Sequence, residues 1–190
     1  MSLTDQAHRI LDECLKPGDV AIDATVGNGH DTAFLLRKLG PNGHVYGFDI
    51  QQEALNSTLR MLSGTQLINT LSLIQASHAD MSDYIPRELH GRIVACMFNL
   101  GYLPGSIKTI TTQTSSTLAA LNSALSMLRS GGLITVLAYP GHTGGEHEAN
   151  QVGCWCASLN PALYDFKLYL SKVANTHAPR LYLIKSIKTI

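Results

Sequence analysis

Charge is scarce in this sequence. Only 15% of its 190 residues are Asp, Glu, Lys or Arg, against 45% that are hydrophobic. Disordered tails and coiled coils carry more charge and fewer apolar residues, so neither describes the chain as a whole. No sign dominates either: 14 basic and 14 acidic side chains cancel. A strongly basic nucleic-acid coat protein is thereby excluded, although net charge says nothing about local patches. Continuous apolar runs of about 18 residues are missing, which argues against a membrane-spanning helix. The start, Met1-Ser2-Leu3-Thr4-Asp5-Gln6-Ala7-His8, lacks the basic residues and apolar run of a secretory signal. Cysteines are few: Cys14, Cys96, Cys154 and Cys156. They lie in apolar stretches, and Cys154-x-Cys156 has neither the second pair nor the histidine spacing of a zinc site. Reduced cysteines, a cytoplasmic location and no metal are the expectation. Repeats, low-complexity tracts and linkers are also missing, so 1–190 reads as a single domain.

What is present is an alternation. Residues 3–15 read as an amphipathic helix closed by Lys16-Pro17-Gly18. Strands are expected at 19–25, 44–50, 71–76, 92–99 and 133–139, and helices at 30–39, 51–62, 114–128 and 145–158. A short helix is expected near 81–85. Ser115 or Ser116 is a plausible cap for the helix at 114, and Gly131-Gly132 reads as its stop. Two strands near 163–171 and 180–187 have no helix between them, so an antiparallel hairpin at a sheet edge is expected. Buried strands alternating with helices imply a mostly parallel sheet covered on both faces. Five such units and a terminal hairpin make a seven-stranded α/β outline, that of a Rossmann-like class I methyltransferase. In such sheets ligands bind beyond the carboxyl ends of the strands, so the residues there carry the function.

After the first strand comes Asp23-Ala24-Thr25-Val26-Gly27-Asn28-Gly29-His30-Asp31-Thr32. Gly27 and Gly29 permit a tight turn and a close backbone approach to a ligand. Asp31 and Thr32 open the next helix, where they can cap free N–H groups. Thr32 stands where a dinucleotide fingerprint has its third glycine, which disfavours a pyrophosphate ligand. The second strand ends in Phe48-Asp49-Ile50-Gln51, with Asp49 twenty residues after Gly29. A carboxylate there accepts hydrogen bonds from both hydroxyls of a ribose; its plain structural alternative is a helix cap. After the third strand, Ser77-His78-Ala79-Asp80 borders the base in this fold, with Asp80 as an acceptor for an adenine amino group and His78 as pocket wall. A capped turn with a surface histidine is the alternative.

The fourth strand ends in Asn99-Leu100-Gly101-Tyr102-Leu103-Pro104-Gly105. Asn-Leu-Gly-Tyr resembles the Asn-Pro-Pro-Tyr loop of methyltransferases that act on amino nitrogens. There the Asn side chain and a backbone carbonyl accept the amine hydrogens and the Tyr ring packs on the substrate. After the fifth strand comes Tyr139-Pro140-Gly141-His142-Thr143-Gly144-Gly145-Glu146. Histidine exchanges protons near neutral pH, so His142 is a candidate base or substrate clamp, with helix capping as its alternative. Glu146 and Glu148 read as charges that favour the helix dipole. Cys96, inside the fourth strand, reads as core, which argues against the cysteine-nucleophile chemistry of ring-carbon methylation.

Together, DATVGNGHDTAFL (23–35), FDIQ (48–51), NLGYLPG (99–105) and YPGHTGGEHE (139–148) resemble the MnmM/YtqB-type methyltransferases, a group long labelled rRNA methylases. The resemblance covers roughly residues 20–185. It implies S-adenosylmethionine as methyl donor, held by Asp23, Thr25, Gly27, Asn28, Gly29, Asp31, Thr32, Asp49, Ile50, Gln51, His78 and Asp80. It implies transfer to the amino group of 5-aminomethyl-(2-thio)uridine at the tRNA wobble position, with Asn99, Tyr102 and His142 at the reacting end. Leu103, Pro104, Lys108, Asn175 and Arg180 fall where the family meets its substrate. The partner expected is a tRNA anticodon loop, met by a monomer or homodimer, with rRNA or a small amine as the alternative substrate. Lys108, Lys167, Lys172, Arg180 and Lys185 are candidate phosphate contacts. This chain departs from the family at Gly105-Ser106-Ile107-Lys108 and at 174–180.

Overall fold

The computed structural model describes residues 1–101, 111–171 and 178–188. Among them seven strands form one sheet: β1 Val20–Asp23, β2 His44–Asp49, β3 Leu71–Gln75, β4 Ile93–Asn99, β5 Leu128–Ala138, β6 Tyr164–Leu170 and β7 Arg180–Ser186. Their order is β3-β2-β1-β4-β5-β7-β6. The first five run parallel, and β7 pairs antiparallel with both β5 and β6. The chain therefore reverses direction across the sheet between β1 and β4, and a crevice opens there at the carboxyl ends.

Helices are α1 Leu3–Asp12, α2 His30–Leu39, α3 Gln52–Leu62, α4 Met81–Tyr84, α5 Thr114–Met127 and α6 Gly145–Ser158. None of the described helices is long and apolar enough to cross a membrane. β4 is apolar up to its last residue, Asn99, because both of its faces are buried. Cys96 and Phe98 point toward the layer holding Met81, Leu121 and Val152 of α4, α5 and α6. Val94 and Met97 meet Leu11, Leu35 and Leu62 of α1, α2 and α3. At the sheet's far side, Ala7 of α1 packs with Leu137 of β5 and Leu181 of β7.

Two local expectations are corrected. Gly131-Gly132 does not end α5, which stops at Met127; the pair lies inside β5. Pairing jumps there from Ile93–Leu128 to Ala95–Leu133, so the strand bulges. Gly131 has φ +75°, and a Cβ on Gly132 would press on the Leu128 side chain and Val94 O. Neither Ser115 nor Ser116 caps α5. Gln113 stands at its N-cap, and the Ser116 hydroxyl donates to Gln113 O instead.

Candidate active site

The residues just after β1 to β5 converge on a cavity of about 870 Å³. Thr25, Gly27 and Asn28 come from the first loop, and Asp49, Ile50 and Gln51 from the second. Ser77 and His78 follow from the third, Asn99 and Gly101 from the fourth, Tyr139 and His142 from the fifth.

At one end stands Asp49. Its Oδ2 accepts the Gly27 N–H at 2.9 Å and its Oδ1 accepts the Gln51 N–H at 2.9 Å. The first contact ties the glycine turn to β2, and Gly27 bends there at φ +53°. A carboxylate offers about four lone-pair sites, so one acceptor position remains on each oxygen. His78 is buried, with Nδ1 3.2 Å from Ala24 O. A carbonyl only accepts, so Nδ1 carries the hydrogen and Nε2 is the ring's acceptor. Burial pushes the His78 pKa down, against the upward pull of the Ala24 contact, which favours the neutral ring.

Several expected residues support the site from behind its wall or at its edge. Asp23 is fully buried; it accepts from Thr32 Oγ1 at 2.6 Å and from the Thr25 N–H at 3.1 Å. Burial and then the Asp31 charge raise its pKa. Thr32 is likewise buried, and its hydroxyl serves Asp23 rather than capping α2. Asp31 is no cap either. It reaches the cavity wall and binds His8 Nε2 of α1 at 2.6 Å, while the His8 ring stacks on Phe34 at 4.0 Å. Gly29 does not approach the cavity: a Cβ there would sit 2.5 Å from Thr58 Oγ1, so its bareness serves the packing of α2 on α3. Asp80 is exposed and lies off the cavity wall, so Ser77 and His78 are the residues of that loop that face the pocket.

At the other end, the Asn99 backbone N–H donates to Thr25 Oγ1 at 2.7 Å. His142 Nδ1 lies 3.0 Å from Thr143 O, which again assigns the hydrogen to Nδ1 and the lone pair to Nε2. The ring sits against two glycines. A Cβ on Gly145 would fall 2.7 Å from His142 Nε2 and 2.3 Å from Tyr139 O, and Gly101 meets the same ring. Asn99 and His142 are thus brought to one cavity by loops far apart in sequence. Tyr102, Leu103, Pro104, Lys108 and Asn175 lie outside the described residues. Arg180 begins β7 beside Ala138, the residue before Tyr139 of the cavity wall, and donates to Asn150 Oδ1 at 2.7 Å. Lys185 pairs with Leu133, five residues back along β5, or roughly 17 Å from the site end.

The sequence reading missed Thr4 of α1 and Thr111, Thr112 and Gln113, all in the cavity wall. It also misjudged Glu148, which is 2% exposed and accepts from Thr112 Oγ1 and Thr117 Oγ1, each at 2.7 Å. The acceptor type of Glu148 was visible in the sequence; its burial was not. Among the described residues no cluster of His, Cys, Asp and Glu is arranged to hold a metal ion.

This strand order, with an acidic residue closing β2 and the switch point at β1 and β4, defines a class I methyltransferase fold. Residues 45–185 match the family described as "Putative rRNA methylase", and the chain belongs to that family. A protein of Arabidopsis thaliana named tRNA (mnm(5)s(2)U34)-methyltransferase, chloroplastic, is 38% identical over 164 residues, 82% of this chain. The chain spans 59% of that relative's length. A solved structure from Clostridium thermocellum, titled as a "putative rRNA-methylase", is 35% identical with a TM-score of 0.93, and 98% of each chain is covered. SMU.1697c of Streptococcus mutans, a "putative methyltransferase" solved in complex with SAH, is 31% identical with a TM-score of 0.83; 96% of this chain and 97% of that one are covered.

Proposed function

We propose that this protein methylates the amino group of 5-aminomethyl-(2-thio)uridine at the wobble position of tRNA, with S-adenosylmethionine as donor. The observation that carries the reading is the meeting of Asn99 and His142 in the same cavity as Asp49 and His78. One end has acceptors for a nucleoside; the other has an amide and an imidazole for an amine.

The donor fits the residues present. Asp49 keeps an acceptor position on each oxygen for the two ribose hydroxyls. His78 offers a neutral acceptor for an adenine amino group. Bound there, S-adenosylmethionine supplies a methyl group already activated on a sulfonium. The chain's own work is then orientation. The Asn99 carboxamide accepts hydrogens of the target amine, and Thr25 fixes the backbone from which that side chain projects. His142 lines the same cavity and is the proposed base for the proton that an alkylammonium must lose; such a base contributes roughly 10²–10⁴-fold. Positioning alone supplies up to ~7–11 kcal/mol in ideal cases.

The relative's name supports the wobble nucleoside, and the anticodon loop is the proposed partner. Four free cysteines support a reducing compartment, and we place the protein in the cytoplasm. The test is methyl transfer from labelled S-adenosylmethionine to tRNA carrying 5-aminomethyl-uridine, followed by nucleoside analysis. Formation of 5-methylaminomethyl-uridine is expected. Donor binding without product on this tRNA would overturn the substrate and turn the search to rRNA or a small amine.

A further inference from the structure

The Asn99 strand end leads directly into Gly101, and the chain returns to the cavity wall at Thr111 and Thr112. These two ends of the connection are bound to each other twice. The Gly101 N–H donates to Thr112 Oγ1 at 3.0 Å, and the Thr112 N–H donates to Gly101 O at 2.9 Å. The Thr112 hydroxyl has one hydrogen, and it goes to Glu148 Oε2 at 2.7 Å. Its oxygen is thereby turned to receive Gly101. The other Glu148 oxygen accepts from Thr117 Oγ1 of α5, also at 2.7 Å.

Glu148 stands one turn into α6, the helix that begins immediately after the His142 loop. The Gly145 N–H at its start donates to His142 O at 2.9 Å, and the His142 ring rests on Gly145 and Gly101. One buried carboxyl group therefore joins three things: the base of the Asn99 loop, helix α5 and the helix that carries the His142 loop. An acidic side chain that only favoured a helix dipole would sit in solvent. This one is 2% exposed, and Thr117 is fully buried. Burying a carboxyl group is costly unless its oxygens are hydrogen-bonded, and here both oxygens are used to hold the reacting end.

We propose that Glu148 is a positioning residue for methyl transfer: through Thr112 it locks the Gly101–Thr112 bridge and so sets Asn99 against His142. The assignment rests on the transfer reaction proposed above. It adds a residue that touches neither donor nor acceptor but fixes the geometry of two that do.

Glu148→Gln tests it. A Gln side chain has a single acceptor oxygen, so one of the two threonine hydroxyls loses its partner. The variant is compared with Thr112→Val, which removes the hydroxyl, and Thr112→Ser, which keeps it. We expect Glu148→Gln and Thr112→Val each to lower kcat on the 5-aminomethyl-uridine tRNA by about 10- to 100-fold, the scale of a small misplacement. S-adenosylhomocysteine affinity should fall far less than kcat in both, and Thr112→Ser should recover most of the kcat that Thr112→Val loses. Hydrogen exchange of the Gly101 amide should accelerate in Glu148→Gln and Thr112→Val. A wild-type kcat in Glu148→Gln, a Thr112→Ser as slow as Thr112→Val, or a parallel loss of S-adenosylhomocysteine binding would overturn the assignment. If the wild-type protein itself does not methylate this tRNA, the substrate reading fails, and an unchanged Gly101 exchange rate is then what overturns the role of Glu148. Should Glu148→Gln fail to fold, the two Thr112 variants carry the same comparison.

Discussion

The Asn99 amide and the Thr25 hydroxyl are 2.7 Å apart, although 74 residues separate them in the chain. That hydrogen bond makes the loop after β1 and the end of β4 a single piece. Thr25→Val keeps the shape and removes the acceptor. An amide left unsatisfied costs roughly 1–3 kcal/mol, so urea unfolding should show a loss of that size. Transfer should slow as well, because Asn99 projects from the freed backbone. Thr25→Ser, which restores the oxygen, should recover both. A fully active Thr25→Val would mean that β4 alone fixes Asn99.

Asp49 is expected to govern donor affinity. Each hydrogen bond to a charged acceptor contributes roughly 1.5–3 kcal/mol, and every 1.4 kcal/mol is about tenfold in affinity. With two ribose hydroxyls held, Asp49→Ala should therefore weaken S-adenosylhomocysteine binding by roughly 100-fold or more in isothermal calorimetry. An unaltered Kd would remove Asp49 from the nucleoside end of the cavity.

Gly29 makes a different prediction, one about stability. Its φ is +82°, and the Cβ of alanine would fall 2.5 Å from Thr58 Oγ1 and 2.8 Å from Met61 Cε. Left-handed backbone at a residue with a side chain costs about 1–3 kcal/mol, and overpacking adds to that. A loss of about 2 kcal/mol corresponds to roughly 4–8 °C in Tm for a chain of this size. Gly29→Ala should show it by calorimetry. An equal loss on Gly64→Ala, where a Cβ meets nothing within 4 Å, would place the cost in backbone strain alone.

Two buried titratable groups pull the pH profile in opposite directions. Burial lowers the His78 pKa from 6.5. The folded state then binds this proton less readily than the unfolded chain, so the His78 contribution is fully present above about pH 6.5 and is lost as pH falls through the lower folded value. Burial raises the Asp23 pKa from 3.8. Its contribution is fully present below the unfolded value and is lost as pH rises through the folded one. His78→Asn retains a donor for Ala24 O but cannot gain that proton. Its unfolding free energy should fall less than the wild type's on going from about pH 7.5 to about pH 5. A variant with the wild-type slope would show that His78 protonation does not weigh on the fold.

Much of this architecture could be read from residue order. Apolar runs such as 92–99 and the turns between them gave the sheet, the hairpin and the strand ends, and those ends gave Asp49, Asn99 and His142 as cavity residues. What could not be read was where side chains on neighbouring elements end up. Asp31 looked like a helix cap because it opens α2; in space it faces His8, which belongs to a helix at the start of the chain. Thr32 looked like a cap and is instead the inward partner of Asp23. Gly29 looked like a ligand glycine, yet Thr58 is what it avoids. Asp80 was the obvious acceptor of its loop, and the curl of residues 78–80 leaves it in solvent while His78 turns in. Glu148 shows the same gap: an acidic residue at a helix start has the same letter whether it meets water or two threonines.

The packing of α1 sets an order of events for the growing chain. Ala7 is covered by Leu137 and Leu181, and Thr4 shares the cavity wall with Tyr139. This helix thus rests on strands made more than a hundred residues later. At ribosomal speeds of about 5–20 residues per second, its apolar face waits on the order of ten seconds or more before β5 and β7 exist. Only when they arrive does the wall of the cavity beside Thr4 close, so the site forms no earlier than the hairpin strand that completes it.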